Sequence, residues 1–246
     1  MMNDVAVLIN TNSNYHDALK VCSKQLSKYL PGLIRYVFTD ERLSLAEQTI
    51  FLEYPKEIDF RSQFLFCVRK IEEPISLTMN DDYFMVDHPN MLLLERYRKL
   101  LINSPRLSFI RLLRGFNFTR SKLTSLPLYK LNPLMPFYFS QVATLWKTRH
   151  LQLVYEMTPR SGIARKNREL QAEVLSDQVC RRVGIWGLCH YDGEWKRGAH
   201  HYDSNVLPHI SSAIVGGKWN FKEYSMELEG ILHHHGIDRN DRGLLT

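Results

Sequence analysis

Residues 77–87 read Leu-Thr-Met-Asn-Asp-Asp-Tyr-Phe-Met-Val-Asp, an apolar run that ends in two adjacent carboxylates. Residues 75–79 have the pattern of a strand, so Asp81 and Asp82 are predicted to follow its carboxyl end. Oxygen ligands of this kind are what Mg²⁺ and Mn²⁺ prefer, often together with substrate phosphates. An isolated Asp-Asp pair is more often a solvated turn, so the rest of the chain has to decide between the two interpretations.

The N-terminal part of the chain predicts a strand–helix–strand unit. Residues 5–9 are the β-rich apolar run Val-Ala-Val-Leu-Ile, and the polar turn of residues 10–14 follows it. Apolar residues then recur at helical spacing until Pro31, and residues 34–38 predict a second strand. In such units ligands bind beyond the carboxyl ends of the strands.

The expected ligand edge therefore contains the residues that follow each of these strands. They are Asn10, Thr11, Asn12 and Asp40. If the sheet is parallel, Asp81 and Asp82 lie at the same edge. No G-x-G-x-x-G or P-loop sequence is present, which argues against the common dinucleotide and P-loop sites.

The remaining pattern predicts an α/β fold of one domain, 1–246, with an elaborated C-terminal half. Helices are expected over residues 60–71, 91–102 and 168–184, strands over 75–79 and 109–114, a strand leading into a short helix within 138–154, and loops over 117–136 and 158–167. The regular alternation in the first half predicts a nucleotide-binding sheet flanked by helices.

Charge is distributed unevenly along the 246 residues. The net charge is +6, yet residues 96–155 contain eleven basic residues and no Asp or Glu, leaving 21 basic against 26 acidic residues elsewhere. A segregated basic region predicts an anionic partner, such as nucleotide phosphates, an acidic glycan, a membrane surface or nucleic acid. A solvated basic face is the alternative.

The N-terminus lacks the basic segment of a signal peptide, and no window is apolar enough to predict a membrane span. The four cysteines are dispersed and none is in a C-x-x-C pair, which predicts free thiols in a reducing compartment. The predicted location is the cytoplasm, with peripheral contact to the inner face of the membrane as one use for the basic region.

Several motifs, taken in order, resemble nucleotide-sugar-dependent glycosyltransferases of GT-A fold, and in particular small bacterial capsule and lipopolysaccharide transferases. The resemblance covers residues 5–243. It lies in Asp81-Asp82-Tyr83-Phe84, in residues 139–147 (Phe-Ser-Gln-Val-Ala-Thr-Leu-Trp-Lys), in a downstream acidic position and in Gly217-Lys218-Trp219. The acidic motif departs from Asp-x-Asp because its first position is Asn80.

The resemblance implies a GT-A-like fold, with residues 1–115 as the nucleotide-sugar-binding half and residues 116–246 as the acceptor and catalytic half. It implies a divalent metal, Mn²⁺ or Mg²⁺, on the donor diphosphate. Asp81 and Asp82 would share the metal and the donor ribose or sugar between them. The implied partners are a nucleotide-sugar donor and a glycan or lipid-linked acceptor in cell-surface polysaccharide synthesis, and no nucleic acid. The transfer is expected to invert the anomeric centre.

The family's acidic position implies a catalytic base at Glu169 or Glu173, which are four residues apart on one predicted helix face. The sequence does not choose between them, and each could be an ordinary surface carboxylate. The base would deprotonate the acceptor hydroxyl.

A late histidine and a late lysine are also implied as ligand contacts. His209 would complete the metal shell, with Asp203 as a weaker alternative, although a core histidine fits the pattern equally well. Lys218 follows two glycines that allow close approach to a diphosphate. Residues 233–235, His-His-His, are interpreted as a helix C-terminus and not as a site.

Two other classes of function compete with a transferase. One is a metal-dependent phosphodiesterase or nuclease that uses Asp81, Asp82 and His209, and it requires more clustered carboxylates for two metals. The other is a non-catalytic, basic nucleic-acid-binding protein, for which no known binding signature is visible.

Overall fold

A computed structural model of the protein describes residues 2–45, 49–114, 118–122, 125–160, 168–197 and 201–245, with the backbone alone at 118–122, 168–170 and 201. The strands are β1 Val5–Asn10, β2 Ile34–Thr39, β3 Thr49–Glu53, β4 Ile75–Asn80, β5 Phe84–Met85, β6 Leu107–Arg111, β7 Phe118–Lys122, β8 Leu128–Leu131, β9 Thr144–Lys147, β10 Trp186–His190, β11 Lys196–Arg197, β12 His201–Tyr202, β13 His209–Ile210, β14 Ile214–Val215 and β15 Lys218–Trp219. The helices are α1 His16–Tyr29, α2 Phe60–Val68, α3 Met91–Asn103, α4 Thr148–Met157, α5 Arg168–Arg182 and α6 Phe221–His235.

Nine strands form the central sheet in the order β3-β2-β1-β4-β9-β6-β10-β8-β7. The four strands β3, β2, β1 and β4 are parallel, so the condition under which the sequence brings the ends of β1, β2 and β4 to one edge is met. β9 is antiparallel to both of its neighbours, and β6 and β10 are again parallel to each other. Strands from both halves of the chain therefore share one sheet.

Both faces of the sheet are covered, which is why β1 is apolar at nearly every position. Val5, Val7 and Ile9 face one core cluster, which also contains residues of α1, α3 and α6. Ala6 and Leu8 face the other cluster, formed with α2, α4 and α5. The predicted fold class, an α/β sheet flanked by helices, is confirmed.

Local sequence signals explain several helix ends. The Asp59 side chain accepts a hydrogen bond from the Ser62 amide at 3.3 Å at the start of α2, and Asn90 caps α3 in the same way. α6 ends at Gly236, whose φ of 66° is the left-handed cap that glycine tolerates. Its last turn is residues 233–235, so the interpretation of the three histidines as a helix end is confirmed.

Two features of the sheet differ from the sequence-based expectation. Residues 117–136 were expected to be a loop, but they contain β7 and β8, the antiparallel edge of the sheet. These strands have only five and four residues, set among Ser, Thr, Pro and basic residues, so the sequence pattern is too short to reveal them. β3 was not predicted either. Among the described helices, none is both long enough and apolar enough to cross a bilayer.

Replacing Gly187 by alanine tests the contact between β10 and β6. A β-carbon there would lie 2.1 Å from Cζ of Phe109, whose ring stacks on Trp146 with centroids 4.3 Å apart. Because this buried stack resists displacement, we expect Gly187→Ala to lower the free energy of unfolding by about 1–3 kcal/mol in urea titrations.

The matched control is Gly230→Ala within α6, where a β-carbon meets no heavy atom within 4 Å. Helix propensity alone should make that variant more stable by roughly 0.5–1 kcal/mol. A Gly187→Ala protein as stable as the wild type would contradict the close packing of these two strands.

Candidate functional site

The carboxyl ends of β2, β1 and β4 meet at one edge of the sheet. Asn10, the last residue of β1, is in register with Phe38 of β2 and with Asn80 of β4. The residues that follow these three positions therefore start from neighbouring points of the backbone. Asn10, Thr11, Asn12, Asp40 and Asp81, which the sequence predicts as ligand contacts, are brought together in this way.

Asp81 is a buried carboxylate held by the loop after β1. Thr11 Oγ1 donates a hydrogen bond to Asp81 Oδ2 at 2.5 Å, and the Asp81 amide donates to the Asn10 carbonyl at 3.3 Å. The Thr11 carbonyl in turn accepts from the Tyr54 hydroxyl at 2.6 Å. A buried carboxylate is costly without such partners. These contacts fix the position of Asp81 relative to β1.

Asp40 organises the turn that follows β1. Its carboxylate accepts from the Ser13 amide at 2.7 Å and from the Ser13 hydroxyl at 3.1 Å, and Lys56 Nζ lies 3.4 Å away. Burial works to raise the pKa of Asp40, but the Ser13 hydrogen bonds and the Lys56 charge outweigh it and lower the pKa. Asn12 caps the same turn by accepting from the Asn14 amide at 3.0 Å. Both side chains thus shape the loop from within.

Asp82 connects this edge to the second half of the chain. Its main-chain carbonyl accepts from the Ala213 amide at 3.2 Å, and its Oδ2 accepts from the Ile214 amide at 3.3 Å. The side chain is partly exposed, unlike that of Asp81. Asp82 is therefore the more accessible of the two carboxylates. Its hydrogen bonds hold the residues at which the hairpin of β14 and β15 begins.

The β14–β15 hairpin carries Lys218. Gly216 and Gly217 form its two-residue turn with φ angles of 58° and 80°, the combination that two-residue hairpins favour and that glycine adopts without strain. Lys218 is paired with Val215 and is exposed. The two glycines are explained by the hairpin itself, while the Lys218 ammonium group remains available to an anion.

His209 is buried beside the strand that follows the acidic pair. β13 pairs with β5 so that His209 lies opposite Met85, and its ring centroid is 5.2 Å from that of Tyr83. Nδ1 lies 2.5 Å from the Leu207 carbonyl oxygen, which places the proton on Nδ1. Burial lowers the pKa of His209 to about 4, although the Leu207 carbonyl works in the opposite direction. The ring is therefore neutral at pH 7.

The other ring nitrogen of His209 is Nε2, the atom that would bind a metal. Nε2 is buried and has no hydrogen-bond partner in the part of the chain that the structure describes. A neutral imidazole whose Nδ1–H is bound to a backbone carbonyl is the usual arrangement of metal-binding histidines. A histidine in a protein core can bind a carbonyl through Nδ1–H in the same way. The Nε2 atom without a partner among the described residues is therefore the feature that distinguishes a metal ligand from a core histidine.

Within the described ranges, no three His, Cys, Asp or Glu side chains form a ready-made metal cluster. Mg²⁺, however, commonly takes only one or two carboxylates from the protein and the rest of its ligands from substrate phosphates. Asp81, Asp82 and Nε2 of His209 are donors of the kind that such a cation takes, although the described structure does not gather the three into one cluster.

Glu173 is a half-buried carboxylate on α5. Its Oε1 accepts from the Gln141 amide at 2.7 Å and from the Ser140 hydroxyl at 3.1 Å. Burial raises the pKa of Glu173, and the two hydrogen bonds and the Arg111 charge only partly offset this effect. Such a carboxyl is more basic than an exposed one. Glu169 lies one helical turn earlier, and its side chain is outside the described part of the structure.

A small cavity of about 20 Å³ lies between the loop of Ser140 and Gln141 and the carboxyl ends of β1 and β4. It is lined by Ser140 and Gln141, which hold Glu173, and by Asn10 and Asn80 at the ends of β1 and β4. The space suffices for about one water molecule. The loop of Ser140 and Gln141 therefore contacts Glu173 and also borders the sheet edge that carries Asp81 and Asp82.

Sequence reasoning missed Arg242, which returns from the C-terminus to the loop after β1. It forms a two-pronged ion pair with Asp17, donates to the Asn14 carbonyl at 2.6 Å and lies 4.7 Å from the centre of the Tyr15 ring. The bond to Asp17 and, more weakly, the charge of Asp81 raise the pKa of Arg242. No local pattern reveals this contact, since Arg242 and Asp17 are joined only by the folded chain.

The Thr11–Asp81 contact can be tested through stability. Thr11→Val keeps the shape of the side chain but removes the hydroxyl donor, leaving Asp81 with one partner fewer in a buried place. We expect the free energy of unfolding to fall by about 1–3 kcal/mol in urea titrations. Thr11→Ser, which keeps the hydroxyl, is the control and should recover most of the loss. Equal stability of the two variants would contradict the bond.

No family model matches this chain, and no curated protein matches it. Among solved structures it is similar to CMP:2-keto-3-deoxy-manno-octonic acid synthetase complexed with CTP, with 12% identity and a TM-score of 0.49 over 84% of this chain and 92% of that chain. It is also similar to S. aureus TarS 1–349 in complex with UDP, with 14% identity and a TM-score of 0.47 over 82% of this chain and 60% of that chain. For the bifunctional IspDF from Campylobacter jejuni the identity is 10% and the TM-score 0.43, over 77% of this chain and 50% of that chain.

This chain thus spans less than two thirds of the TarS and IspDF chains that it matches. At identities and TM-scores this low, the likenesses carry no argument about activity. The fold assignment rests on the topology of the sheet, and the function has to be argued from the site.

Proposed function

We propose that this chain is a metal-assisted glycosyltransferase that moves a sugar from a nucleotide-sugar donor to a glycan or lipid-linked acceptor, with inversion. One observation carries the proposal. The partly exposed Asp82, beside the fixed Asp81, shares a sheet edge with the loop that binds a carboxyl of raised pKa, Glu173. Sugar transfer needs one carboxylate group to bind the metal on the diphosphate and another to take the proton of the acceptor hydroxyl. The two have to lie in different environments.

The donor would bind along the carboxyl edge of β1, β2 and β4. In this proposal the loop of Asn10, Thr11 and Asn12, shaped from within by Asp40, receives the nucleoside. Lys218 approaches the diphosphate from the β14–β15 hairpin. Its exposed ammonium group supplies the positive charge that a diphosphate requires.

Asp82, Asp81 and the Nε2 atom of His209 are the residues that would hold a divalent cation, either Mn²⁺ or Mg²⁺. When bound, such a cation supplies the charge that neutralises the departing nucleoside diphosphate. The fit rests on two carboxylates of different accessibility and on a buried imidazole nitrogen without a partner among the described residues.

Glu173 would act as the general base. Its carboxylate takes the proton of the acceptor hydroxyl while that oxygen attacks the anomeric carbon, and the bond from this carbon to the diphosphate oxygen breaks. Burial favours the step because it raises the pKa of Glu173 and makes the carboxylate a stronger base. Glu169 stays the second candidate for this role.

The two competing classes have less support. A two-metal phosphodiesterase requires further carboxylates beside Asp81 and Asp82 to hold a second metal ion, and no such cluster is found among the described residues. A basic nucleic-acid-binding module leaves the orphaned nitrogen of His209 and the raised pKa of Glu173 without a role.

Calorimetric titration with UDP, GDP and CMP, each with and without Mn²⁺, tests donor binding. We expect one nucleotide to bind in a metal-dependent manner, and we expect Asp82→Ala to weaken that binding by about 10-fold or more, equivalent to roughly 1.4 kcal/mol. Asp87→Ala, five residues further along and exposed, is the matched control and should bind like the wild type. Undiminished metal-dependent binding in Asp82→Ala, or salt-sensitive binding of oligonucleotides alone, would refute the assignment.

Glu173→Gln separates catalysis from binding and stability. The amide oxygen can still accept from Gln141 and Ser140, so we expect nucleotide affinity to be retained and unfolding to change by less than about 1 kcal/mol. Transfer from the donor identified by titration should fall by about 10²–10⁴-fold. In the wild type the rate should rise with pH as Glu173 ionises, above the range of an ordinary carboxyl, and this dependence should vanish in the variant.

Glu169→Gln and Glu229→Gln are measured alongside. Glu229 is an exposed carboxylate on α6, and its replacement should leave transfer unchanged. If Glu169→Gln loses transfer while Glu173→Gln keeps it, the base is Glu169 and the assignment of Glu173 is wrong.

A further inference from the structure

A groove of about 500 Å³ lies between α1 and α6 and borders the end of β5. Tyr29, Met85 and Ile231 form the apolar part of its lining. None of the described residues that line it belongs to the proposed donor or base sites. Binding sites for small molecules commonly have this size. We call this space the α1–α6 groove.

Two pairs of basic residues line the α1–α6 groove. Lys24 and Lys28 are one turn apart on α1, and His234 and His235 are adjacent on α6. Both lysines are exposed. Among the described residues no carboxylate forms an ion pair with either ammonium group, and Lys28 Nζ lies 4.7 Å from the centre of the Tyr29 ring. The two lysine charges are therefore available to a ligand.

The acid that lines the groove does not balance these charges. Glu227 Oε1 accepts from Arg197 Nη2 at 2.8 Å, so its charge is already paired. Burial, followed by the charges of His234 and Lys24, lowers the pKa of His235. This effect of one basic group on another shows that the positive groups converge. A groove with an excess of positive charge favours an anionic ligand.

Gln25 adds a polar group that the fold leaves unsatisfied. Its side chain lines the groove, the residue is 7% exposed, and its Oε1 is buried without a hydrogen-bond partner among the described residues. Buried polar groups nearly always have a partner. Rotation of the amide about its last torsion presents either the oxygen or the Nε2 donors to the groove. A ligand that carries hydroxyl groups as well as an anionic group matches this amide.

Gly230 leaves the α6 side of the groove open. It lies within α6, one turn before His234, and a β-carbon there would meet no heavy atom within 4 Å. Neither close packing nor a positive φ therefore requires glycine at this position. Glycine inside a helix is unfavourable and usually has a packing or functional reason. Access to the groove supplies such a reason, because Gly230 is part of its lining.

The helix dipoles explain only part of this arrangement. Basic residues stabilise the last turn of a helix, and Lys28 and the three histidines lie in the last turns of α1 and α6. The effect falls off within one turn, so it does not account for Lys24. It also does not account for the unsatisfied amide of Gln25 or for the open position at Gly230. These three features point to a ligand.

We propose that the α1–α6 groove binds a phosphorylated sugar, at a site separate from the donor edge. The phosphate lies between the lysines of α1 and the histidines of α6, the sugar hydroxyls meet the Gln25 amide, and the ring carbons pack on the apolar lining. A phosphate ester carries roughly 1.5–2 negative charges at pH 7 and several acceptor oxygens, which suits two ammonium groups better than a single carboxylate does. The proposal does not depend on the transferase activity.

Calorimetric titration of the full chain tests this site without any nucleotide. The probes are glucose 1-phosphate, glucose 6-phosphate and mannose 6-phosphate, compared with inorganic phosphate, glucuronate and glucose. We expect at least one sugar phosphate to bind about 10-fold or more tightly than inorganic phosphate and glucuronate, and glucose not to bind. The affinity should fall as salt is raised, because exposed charges contribute to it.

Two variants remove the site in different ways. Lys24→Gln combined with Lys28→Gln removes both ammonium groups, and Gly230→Leu places a large side chain in the groove. Each should weaken sugar phosphate binding by about 10-fold or more. Lys20→Gln is the matched control, because Lys20 is exposed one turn earlier on α1 and is not among the residues that line the groove. It should bind like the wild type, and circular dichroism should show that all variants are folded.

Four results would overturn the proposal. They are absence of binding by all three sugar phosphates, unchanged binding in both groove variants, an equal loss in Lys20→Gln, and inorganic phosphate or glucuronate binding as tightly as the sugar phosphates. In the last case the groove would hold an adventitious ion only, or a carboxylate sugar. Nucleotide titration of the lysine variant reports on the donor edge separately. A parallel loss of nucleotide binding would place the sugar phosphate at that edge and would also overturn the proposal.

Discussion

The hydrogen bond from Thr11 to Asp81 joins the loops after two parallel strands, and the rest of the site depends on it. Burying a carboxylate is unfavourable unless donors replace its lost hydration. Thr11 supplies one such donor, and the register between Asn10 and Asn80 aligns the two strand ends. With Asp81 fixed inside, the next residue, Asp82, is directed to a more exposed position. Asp81 is thus held inside the fold, whereas Asp82 is partly exposed.

The second half of the chain is assembled around this pair by long-range contacts. The amides of residues 213 and 214 bind Asp82, β13 brings His209 against β5, and the C-terminal Arg242 returns to the loop after β1. Glu173 approaches from the other side through the loop of Ser140 and Gln141. Strands β9 and β10 extend the same sheet, so the two halves of the sequence share one scaffold. Rigid elements on both sides are what a preorganised site requires.

Much of the parallel part of the fold was predictable because its signals are local. Apolar runs, polar turns and helix caps define β1, α1, β2 and β4 without reference to distant residues. The antiparallel strands β7 and β8 were missed because runs of five and four residues among polar and basic residues give too short a pattern. The division of the chain into a donor half and an acceptor half stays a prediction. So do the roles assigned to the candidate site residues.

The sequence by itself determined which side chains follow each strand, and hence that Asn10, Asp40, Asp81 and Asp82 meet at one sheet edge. It did so because the carboxyl ends of parallel neighbours coincide. Only the tertiary structure decided that Asp81 is buried while Asp82 is accessible, that His209 keeps a buried nitrogen without a partner among the described residues, and that basic residues of α1 and α6 line one groove. Burial, hydrogen-bond partners and pKa shifts are set by contacts between segments far apart in sequence, which a local pattern does not encode.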